Sequence, residues 1–584
     1  MGVRAPEGRA PEEWSVRPAG ASLASSVLLA LILWPLLLAN GRPIPSGDTR
    51  PTERVAASLV EHASLALDAY PDVEPPFARE ESGHRVSIYP VLSAVAAAPV
   101  FGLSRRVFDL DETGLALAGK VAASLFSALA GGVLFLLVSR RWTESEALVT
   151  AFVFVFGTSV WSTSQALWQH PLAVLSLSVA LLWMQSAEAD PRWAGRVGLP
   201  LGLALAARHA DVALVAALGA GVALRWPRRL PSLLLHGLPG VAFLLAYQWR
   251  YFGSPLRHGF SGSLGRFSET WGIGHYGLLL SPAKGLLVFT PVVIIAAVGL
   301  VAAARRGEAP FALTLGLAVL AHWLLVGRWS EWHGGESFGP RMMTDVLPLL
   351  LVFLPEGFAL WPRLGPVLAA VSIAVQGLGA FGYDNRWERV YQRPPLPDHA
   401  ELWQWSESPI PVLLRDRVLI LAAPDVRERR AFIREHRLVP FGPRGSRIGF
   451  EGDRLALGGS EATLEDVHLQ AGARIHNGSL RLNRRWDALF LRVTTEARGR
   501  RLELRIDGHG TGTLYVGERS FSSEAPRWST YPVKGTLRVR HAYRHLDSAG
   551  PDVLVTIGKS PGNFAITSVA LVAPDEPENS IQAP

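Results

Sequence analysis

Cysteine does not occur in the 584 residues, which excludes disulfides, thiolate nucleophiles and cysteine-ligated zinc and is compatible with an oxidising compartment. Charge is scarce too. Asp, Glu, Lys and Arg make up 18% of the chain against 49% hydrophobic residues, and the mean hydropathy of +0.21 is too apolar for an ordinary water-soluble protein. Tandem repeats and long low-complexity tracts are missing. So are a Walker motif, an HExxH pair and a nucleophile elbow. Gly508–Gly517, GHGTGTLYVG, imitates a phosphate loop, but it lies in a β-rich region without the following helix whose N-terminus would hold the anion. The net charge of +7 would suit nucleic acid, yet arginines gathered in short loops between apolar runs are what membrane topology alone produces. Nucleic acid is not an expected partner.

What is present is a series of apolar runs, several of them near the roughly 20 residues that a helix needs to cross about 30 Å of hydrocarbon. The first, Ser22–Ala39, follows a long polar flank and is followed by no A-x-A site, so it reads as an uncleaved anchor rather than a signal peptide. Tyr89–Phe108 is amphipathic and reads as a helix lying in the interface. Then come Leu115–Val138, Leu148–Ala166, Pro171–Ser186, Val197–Ala207, Val212–Leu224, Leu233–Tyr251, Gly285–Ala304, Phe311–Gly327, Asp345–Leu360 and Gly365–Gly382, about eleven with the anchor. Alternation puts Arg140/Arg141, Arg192/Arg196, Arg225/Arg228/Arg229, Arg305/Arg306 and Arg363 on one side, the cytoplasmic one by the positive-inside rule. Val197–Ala207 and Val212–Leu224 are too short to span alone and flank Arg208-His209-Ala210-Asp211, so they read as two short helices meeting at a charged hairpin within membrane depth. Gly198 and Gly202 form a GxxxG step suited to helix packing.

The expected organisation is a cytoplasmic N-terminus at 1–21 and an α-helical polytopic membrane domain at 22–382, with outer loops at 40–114, 252–284 and 328–344. A connector at 383–450 contains the charged, helix-like stretch Asp425–Arg437. Period-2 alternation broken by Gly, Pro and Asp turns then predicts an extracytoplasmic β-sandwich of jelly-roll kind over 451–575, and a tail follows at 576–584.

Four outer-face segments hold the chemistry-bearing residues. Asp48 sits in the turn Ser46-Gly47-Asp48-Thr49 just past the anchor, with Glu53, Glu61 and Asp68 as possible acidic partners. Arg85 and the step Tyr89-Pro90 precede the interfacial helix, and a guanidinium offers fixed donors for phosphate oxygens. Trp161–Pro171, WSTSQALWQHP, carries Trp161 and Trp168 as stacking surfaces, with Gln165 and His170 beside them. Arg328–Pro348, RWSEWHGGESFGPRMMTDVLP, concentrates Glu331, His333, Glu336 and Arg341 around a Gly-Gly step in one short loop. Plain alternatives exist for each: a solvated turn aspartate, an arginine snorkelling to headgroups, an interfacial aromatic belt and a loop that only connects helices.

Taken in order, the anchor, the loop with Asp48, Arg85 and Tyr89-Pro90, the short helix pair at Arg208 and the WxGGxSFGxR loop resemble the GT-C superfamily of glycosyltransferases. The likeness covers 22–382 and leans towards the bacterial protein mannosyltransferase and aminoarabinose transferase branch. The second Pro of the family's Pro-Pro step is Val91 here, and the family's acidic pair has no evident second member. The resemblance implies an inverting enzyme of the bacterial inner membrane, working on its outer face with a polyprenyl-phosphate sugar and a glycan, lipid or protein acceptor. It places the catalytic base at Asp48 and substrate-binding groups at Arg85, Tyr89, Arg208, His333, Glu336 and Arg341, and names no cofactor. One carboxylate suffices to deprotonate an attacking hydroxyl, whereas glycosidases flank the bond with two. Two rivals remain: a flippase for a lipid-linked glycan, which would distribute charge across several helix middles, and a non-catalytic membrane scaffold for the β domain.

Overall fold

The computed structural model describes residues 22–261, 267–306 and 309–383, short pieces between 385 and 414, and strand segments between 439 and 572. The expected N-terminus at 1–21, the stretch Asp425–Arg437 and the tail lie outside the described residues. The chain divides into two compact units. One runs to Asn385 and takes in Leu402–Ile410, and the other comprises Arg386–Glu401 and the residues from Pro411 on.

The first unit is helical. It opens with α1 (Leu23–Leu38), α2 (Arg50–His62), the hairpin β1 (Ala78–Glu81) and β2 (His84–Ser87), α3 (Leu92–Ser104) and α4 (Glu112–Ser139). It continues through α5 (Glu144–Phe156), α6 (Ser159–Thr163), α7 (His170–Ala189), α8 (Arg192–Arg196), α9 (Gly198–Ala207), α10 (Val212–Arg225) and α11 (Leu230–Phe252). After α12 (Ile273–Leu280) come α13 (Leu286–Phe289), α14 (Val293–Arg305), α15 (Ala309–Val326), α16 (Leu347–Leu351), α17 (Leu354–Leu360) and α18 (Leu364–Gly382). Local chemistry sets the boundaries. The Asp111 carboxylate caps α4 at Gly114 N (2.7 Å), Thr143 and Glu146 form a capping box on α5, and Pro51 opens α2 where a missing N–H costs nothing.

Four helices among the described residues are long and apolar enough to cross a membrane: α4, α7, α11 with the turn before it, and α18. A fifth arises if the segment Arg341–Leu351 and α17, bent by 70°, count as one span. The expectation of about eleven spans is therefore corrected, because backbone breaks cut the apolar runs. Leu148–Ala166 stops at Gly157 and restarts as α6. Gly285–Ala304 breaks at Thr290-Pro291 into α13 and α14, and Asp345–Leu360 bends ahead of Pro355. The exterior nonetheless suits hydrocarbon: Leu28, Leu31 and Ile32 on α1, Leu234, Leu235 and Leu238 on α11, and Val367 and Val371 on α18 are all exposed. In α4, by contrast, 72% of the apolar window is buried, which makes it the hub of the unit.

The helices α9 and α10 go in and come back. A Cβ at Gly198 would lie 1.9 Å from Leu233 O, and one at Gly202 would lie 2.5 Å from Gly237 O. These glycines bring α9 alongside α11, with the starts of the two helices at one level. Arg225, at the far end of α10, reaches Glu188 near the end of α7 (3.1 Å), and Gly195 just before α9 packs on Ser232. Both ends of the pair thus lie together. Its tip is the 3-10 turn His209–Asp211.

Residues 40–114 form more than a loop. The helix α2, the β1–β2 hairpin and α3 share a core with α4 and the end of α11, built from Val55, Ala56, Leu67, Val86, Ala94, Ala97, Phe101, Ala118, Ala122, Tyr247 and Phe252. The stretch Tyr89–Phe108, expected to lie in the interface, is represented by α3 and packed into this core.

The second unit holds β3 (Val439–Phe441), β4 (Ser446–Glu451), β5 (Arg454–Gly458), β6 (Ala462–Leu469), β7 (Arg474–His476), β8 (Ser479–Leu482) and β9 (Ala488–Thr494). These are followed by β10 (Leu502–Ser520), β11 (Arg527–Tyr543), β12 (Asp552–Lys559) and β13 (Asn563–Val572). All eleven belong to one antiparallel sheet, which bears out a C-terminal β domain. The sheet is continuous because of the length of β10. Along one edge it pairs with β11 from Leu502↔Tyr543 to Glu518↔Arg527. Along the other it takes β13 over its first half and β12 over its second. One strand thereby joins two groups that alternation alone would assign to separate layers. Gly508–Gly517 is an interior piece of this strand, and Gly508 and Gly510 leave room for Ala565 O and the Phe564 ring.

Candidate functional site

The turn that presents Asp48 is locked at both ends. Thr49 Oγ1 donates to Ser46 O (3.0 Å), Ser46 N donates to Thr49 Oγ1 (3.1 Å), and Asp48 N donates to Ser46 Oγ (3.3 Å). Gly47 is required because a Cβ there would meet the Phe77 ring at 2.5 Å. The helix α2 starts two residues later, with Glu53 N bonded to Thr49 O. Further back, Lys120 in α4 donates to Asn40 Oδ1 and to Arg42 O (2.8 Å), while Asn40 and the backbone of Ile44 are held by Gln165. The carboxylate of Asp48 therefore projects from a fixed backbone.

Its two oxygens are shared between distant segments. Tyr89 Oη donates to Asp48 Oδ1 at 2.8 Å, and Arg341 Nη2 pairs with Oδ2. Arg341 is itself held by Gly334 O through Nε, with its guanidinium carbon 4.1 Å from the centroid of the Trp168 ring. Gly334 has φ +77°, and a Cβ there would strike the Arg341 side chain at 2.9 Å. The Gly-Gly step thus shapes the loop around this arginine. Tyr89 leads on to an aromatic row, with Phe260 at 5.7 Å, Trp329 beyond it at 6.1 Å, and Phe267 against Trp329 at 4.8 Å. Asp48 and Arg341 keep 20% and 11% of their side-chain surface accessible, enough for a ligand to reach them.

Asp48, Tyr89 and Arg341 are brought together with Trp168, and the remaining predicted residues lie elsewhere. Arg85 is on β2, bonded to Glu80 (2.9 Å) and Pro71 O (2.7 Å). His333 is buried, Nε2 facing Glu331 at 3.2 Å and Nδ1 accepting Gly335 N; Glu336 is half-buried in the same loop. Trp161 packs edge-on to Phe156 and Phe381 in the core. The acidic alternatives are occupied as well. Glu61 accepts from Tyr70 (2.7 Å) and Asp68 from His84 and Arg85 N. Glu53 is fully buried against Arg54, and that burial raises its carboxyl above the ordinary 4.5, with Arg54 opposing.

Arg208 belongs to a second, fully enclosed cluster. Its Nη1 lies 2.8 Å from Asp211 Oδ1 and 3.0 Å from Asp345 Oδ2, and the latter oxygen also faces His170 Nδ1 at 2.9 Å. His322, from α15, completes the cluster, with Nε2 on Met342 O (3.0 Å). Two short segments connect this cluster to Asp48, since Trp168 and His170 share one turn and Arg341 and Asp345 share one 3-10 helix. Sequence reasoning passed over Lys120, His322 and Asp345. A lysine within a 28-residue apolar helix was a visible signal, whereas Asp345 looked like a helix start.

No protein-family model matches the chain, and neither does any curated protein. Among solved structures, the Archaeoglobus fulgidus oligosaccharyltransferase in complex with Zn and sulfate aligns with a TM-score of 0.37 at 12% identity, over 66% of this chain and 58% of that one. The apo form gives 0.34 at 13% identity, over 66% and 60%. The archaeal oligosaccharyltransferase AglB from the same organism, with an inhibitory peptide and a dolichol-phosphate, gives 0.37 at 11% identity, again over 66% and 60%. The chain thus spans about three fifths of the length of these structures.

Proposed function

We propose that the chain is a membrane glycosyltransferase that moves a sugar from a polyprenyl-phosphate donor to an acceptor hydroxyl on the outer face of the membrane, with Asp48 as general base. The observation that carries this is the convergence of Asp48 with Tyr89 and Arg341, which lie 41 and 293 residues away in sequence. A carboxylate, a phenol and a guanidinium on separate, backbone-fixed segments form the set that an inverting transfer from a phosphate needs. The donor's phosphate competes with Asp48 for Arg341. Once Arg341 turns to the phosphate, Asp48 Oδ2 is free and the face of Trp168 is uncovered, while Tyr89 keeps the carboxylate in place. The acceptor oxygen attacks the anomeric carbon as its proton passes to Asp48. The bond from that carbon to the phosphate oxygen breaks with its electron pair on the phosphate, where Arg341 stabilises the growing charge. His333 and Glu336 belong to the loop that carries Arg341. Arg85 and Arg208 hold their surroundings in shape.

A flippase is the second reading, and one observation favours it. Lys120, His322 and Asp345 put ionisable groups inside or at the bends of apolar helices, as a polar pathway would. Reconstitution in liposomes with a polyprenyl-phosphate sugar and envelope glycan or lipid acceptors separates the two. Mass analysis that finds free polyprenyl phosphate and a glycosylated acceptor supports transfer. Donor recovered chemically intact on the opposite leaflet overturns it in favour of transport.

A further inference from the structure

The tip of the α9–α10 pair faces α15 and the 3-10 helix after the Arg328–Pro340 loop, and three buried side chains meet there: Asp211, His322 and Asp345. One ligand atom from each lies within 4.8 Å of the other two. All three side chains are 0% exposed. Asp211 Oδ2, His322 Nδ1 and Asp345 Oδ1 have no hydrogen-bond partner, although the opposite atom of each side chain is satisfied. Asp211 Oδ1 and Asp345 Oδ2 take Arg208, Asp345 Oδ2 also faces His170, and His322 Nε2 faces Met342 O.

That last bond decides the chemistry. A backbone carbonyl only accepts, so Nε2 carries the hydrogen, and in the neutral ring Nδ1 presents a lone pair. Three buried side chains, two of them carboxylates and each with a lone-pair atom that has no partner, then meet in a place closed to water, with His322 Nδ1 3.9 Å from Asp211 Oδ1. One guanidinium balances one carboxylate and leaves a negative charge over. A single proton between the carboxylates would serve two of the three atoms and leave His322 Nδ1 unserved, whereas a cation at the centre serves all three.

We propose that Asp211, His322 and Asp345 bind one divalent transition-metal ion of the zinc, cobalt or manganese kind. Mixed imidazole and carboxylate donors favour these ions over magnesium or calcium, which take all-oxygen shells. With ligand bonds of about 2.1 Å, three donors around one ion sit about 3.4–3.6 Å from one another, so atoms that lie within 4.8 Å close in by up to about 1.3 Å on binding. The outer contacts of a metal site are already made. Met342 O orients the His322 ring, Arg208 and His170 fix the carboxylates, and one atom of each of the three side chains is left without a partner. Asp48 is not among the ligands, and the site stands whether or not the chain transfers sugar. The ion's place beside the 3-10 helix that carries Arg341 gives it a positioning role there.

The test uses the full-length protein in detergent, stripped with a chelator, desalted and titrated separately with Zn2+ and Co2+. Metal analysis is expected to give about one ion per chain, insensitive to excess Mg2+. Affinity should fall more than tenfold in Asp211→Asn and in His322→Gln and be unchanged in Asp48→Asn. Bound Co2+ should show the visible bands of a low-symmetry protein site, which decides the matter if either cluster variant fails to fold. A wild-type protein that retains no metal and leaves Co2+ with the spectrum of its aqua ion overturns the proposal, as do folded cluster variants that bind as tightly as the wild type.

Discussion

Asp48 gives one oxygen to Tyr89 and the other to Arg341, so the carboxylate is held at both oxygens. In the proposed transfer, Arg341 is the residue that moves. In Arg341→Ala, Asp48 keeps Tyr89 and its access to water, so the unfolding temperature in detergent should stay within a few degrees of wild type. Donor use, read as kcat/KM, should fall about 10- to 100-fold, the scale of a lost charge-assisted hydrogen bond of ~1.5–3 kcal/mol. Equal losses of folding and activity would make Arg341 a structural half of a buried pair. Glu53 behaves differently because it is sealed. Burial raises its carboxyl above 4.5, so the folded chain holds the proton more tightly than the unfolded one. Its effect on stability is nil below 4.5 and turns unfavourable as pH rises through the raised value. Glu53→Gln should therefore be the more stable protein at pH 8, the gap closing towards pH 4, and thermal unfolding with the same gap at both pH values would contradict this. Asp48 was singled out in the sequence by the resemblance, since a Ser-Gly-Asp-Thr turn after an anchor is by itself an ordinary local pattern. Its partner was not, since nothing in a single sequence ties residue 48 to residue 341.

At the scale of elements, the clearest legible device is the small-residue step on α9. Gly202 lies so close to Gly237 O that a side chain there must push α9 off α11. Gly202→Leu should cost about 1–3 kcal/mol, the usual range for overpacking. Gly219→Ala, on α10 where the nearest atom to a new Cβ is 4.0 Å away, should be neutral or stabilising by up to ~1 kcal/mol. Denaturant unfolding of both variants checks the pair, and similar midpoints would mean that the α9–α11 contact is not close packed. The break at Arg208 was also legible, as charges between two short apolar runs. The helix α2 and the β1–β2 hairpin were not, because α2 is polar on average and shows its apolar face only against α4 and α3. Nor was the number of spans, since apolar content is continuous across Gly157 and Thr290-Pro291 while the backbone hydrogen bonds are not.

At the scale of the whole molecule, composition alone identified an apolar helical part and a strand-rich part, and period-2 alternation found strands without saying how they join. Pairing along β10 is a non-local choice and left no local trace. Orientation in the membrane rests on the arginines. The loops at Arg140, Arg225 and Arg305 should be cytoplasmic and the residues after Gly382 outside. Reporter fusions at these points test this, and a fusion after Gly382 active only in the cytoplasm would remove the outer-face site. The central claim is that Asp48 takes the proton of the attacking hydroxyl, and the measurement that meets it most directly is transfer by purified wild-type and Asp48→Asn protein in liposomes containing a polyprenyl-phosphate sugar. Asparagine keeps the shape of the side chain and can still accept from Tyr89 but cannot take a proton, so the variant should insert and bind donor while the rate of transfer falls about 100-fold or more. Transfer at a near wild-type rate by the Asp48→Asn protein would contradict the account.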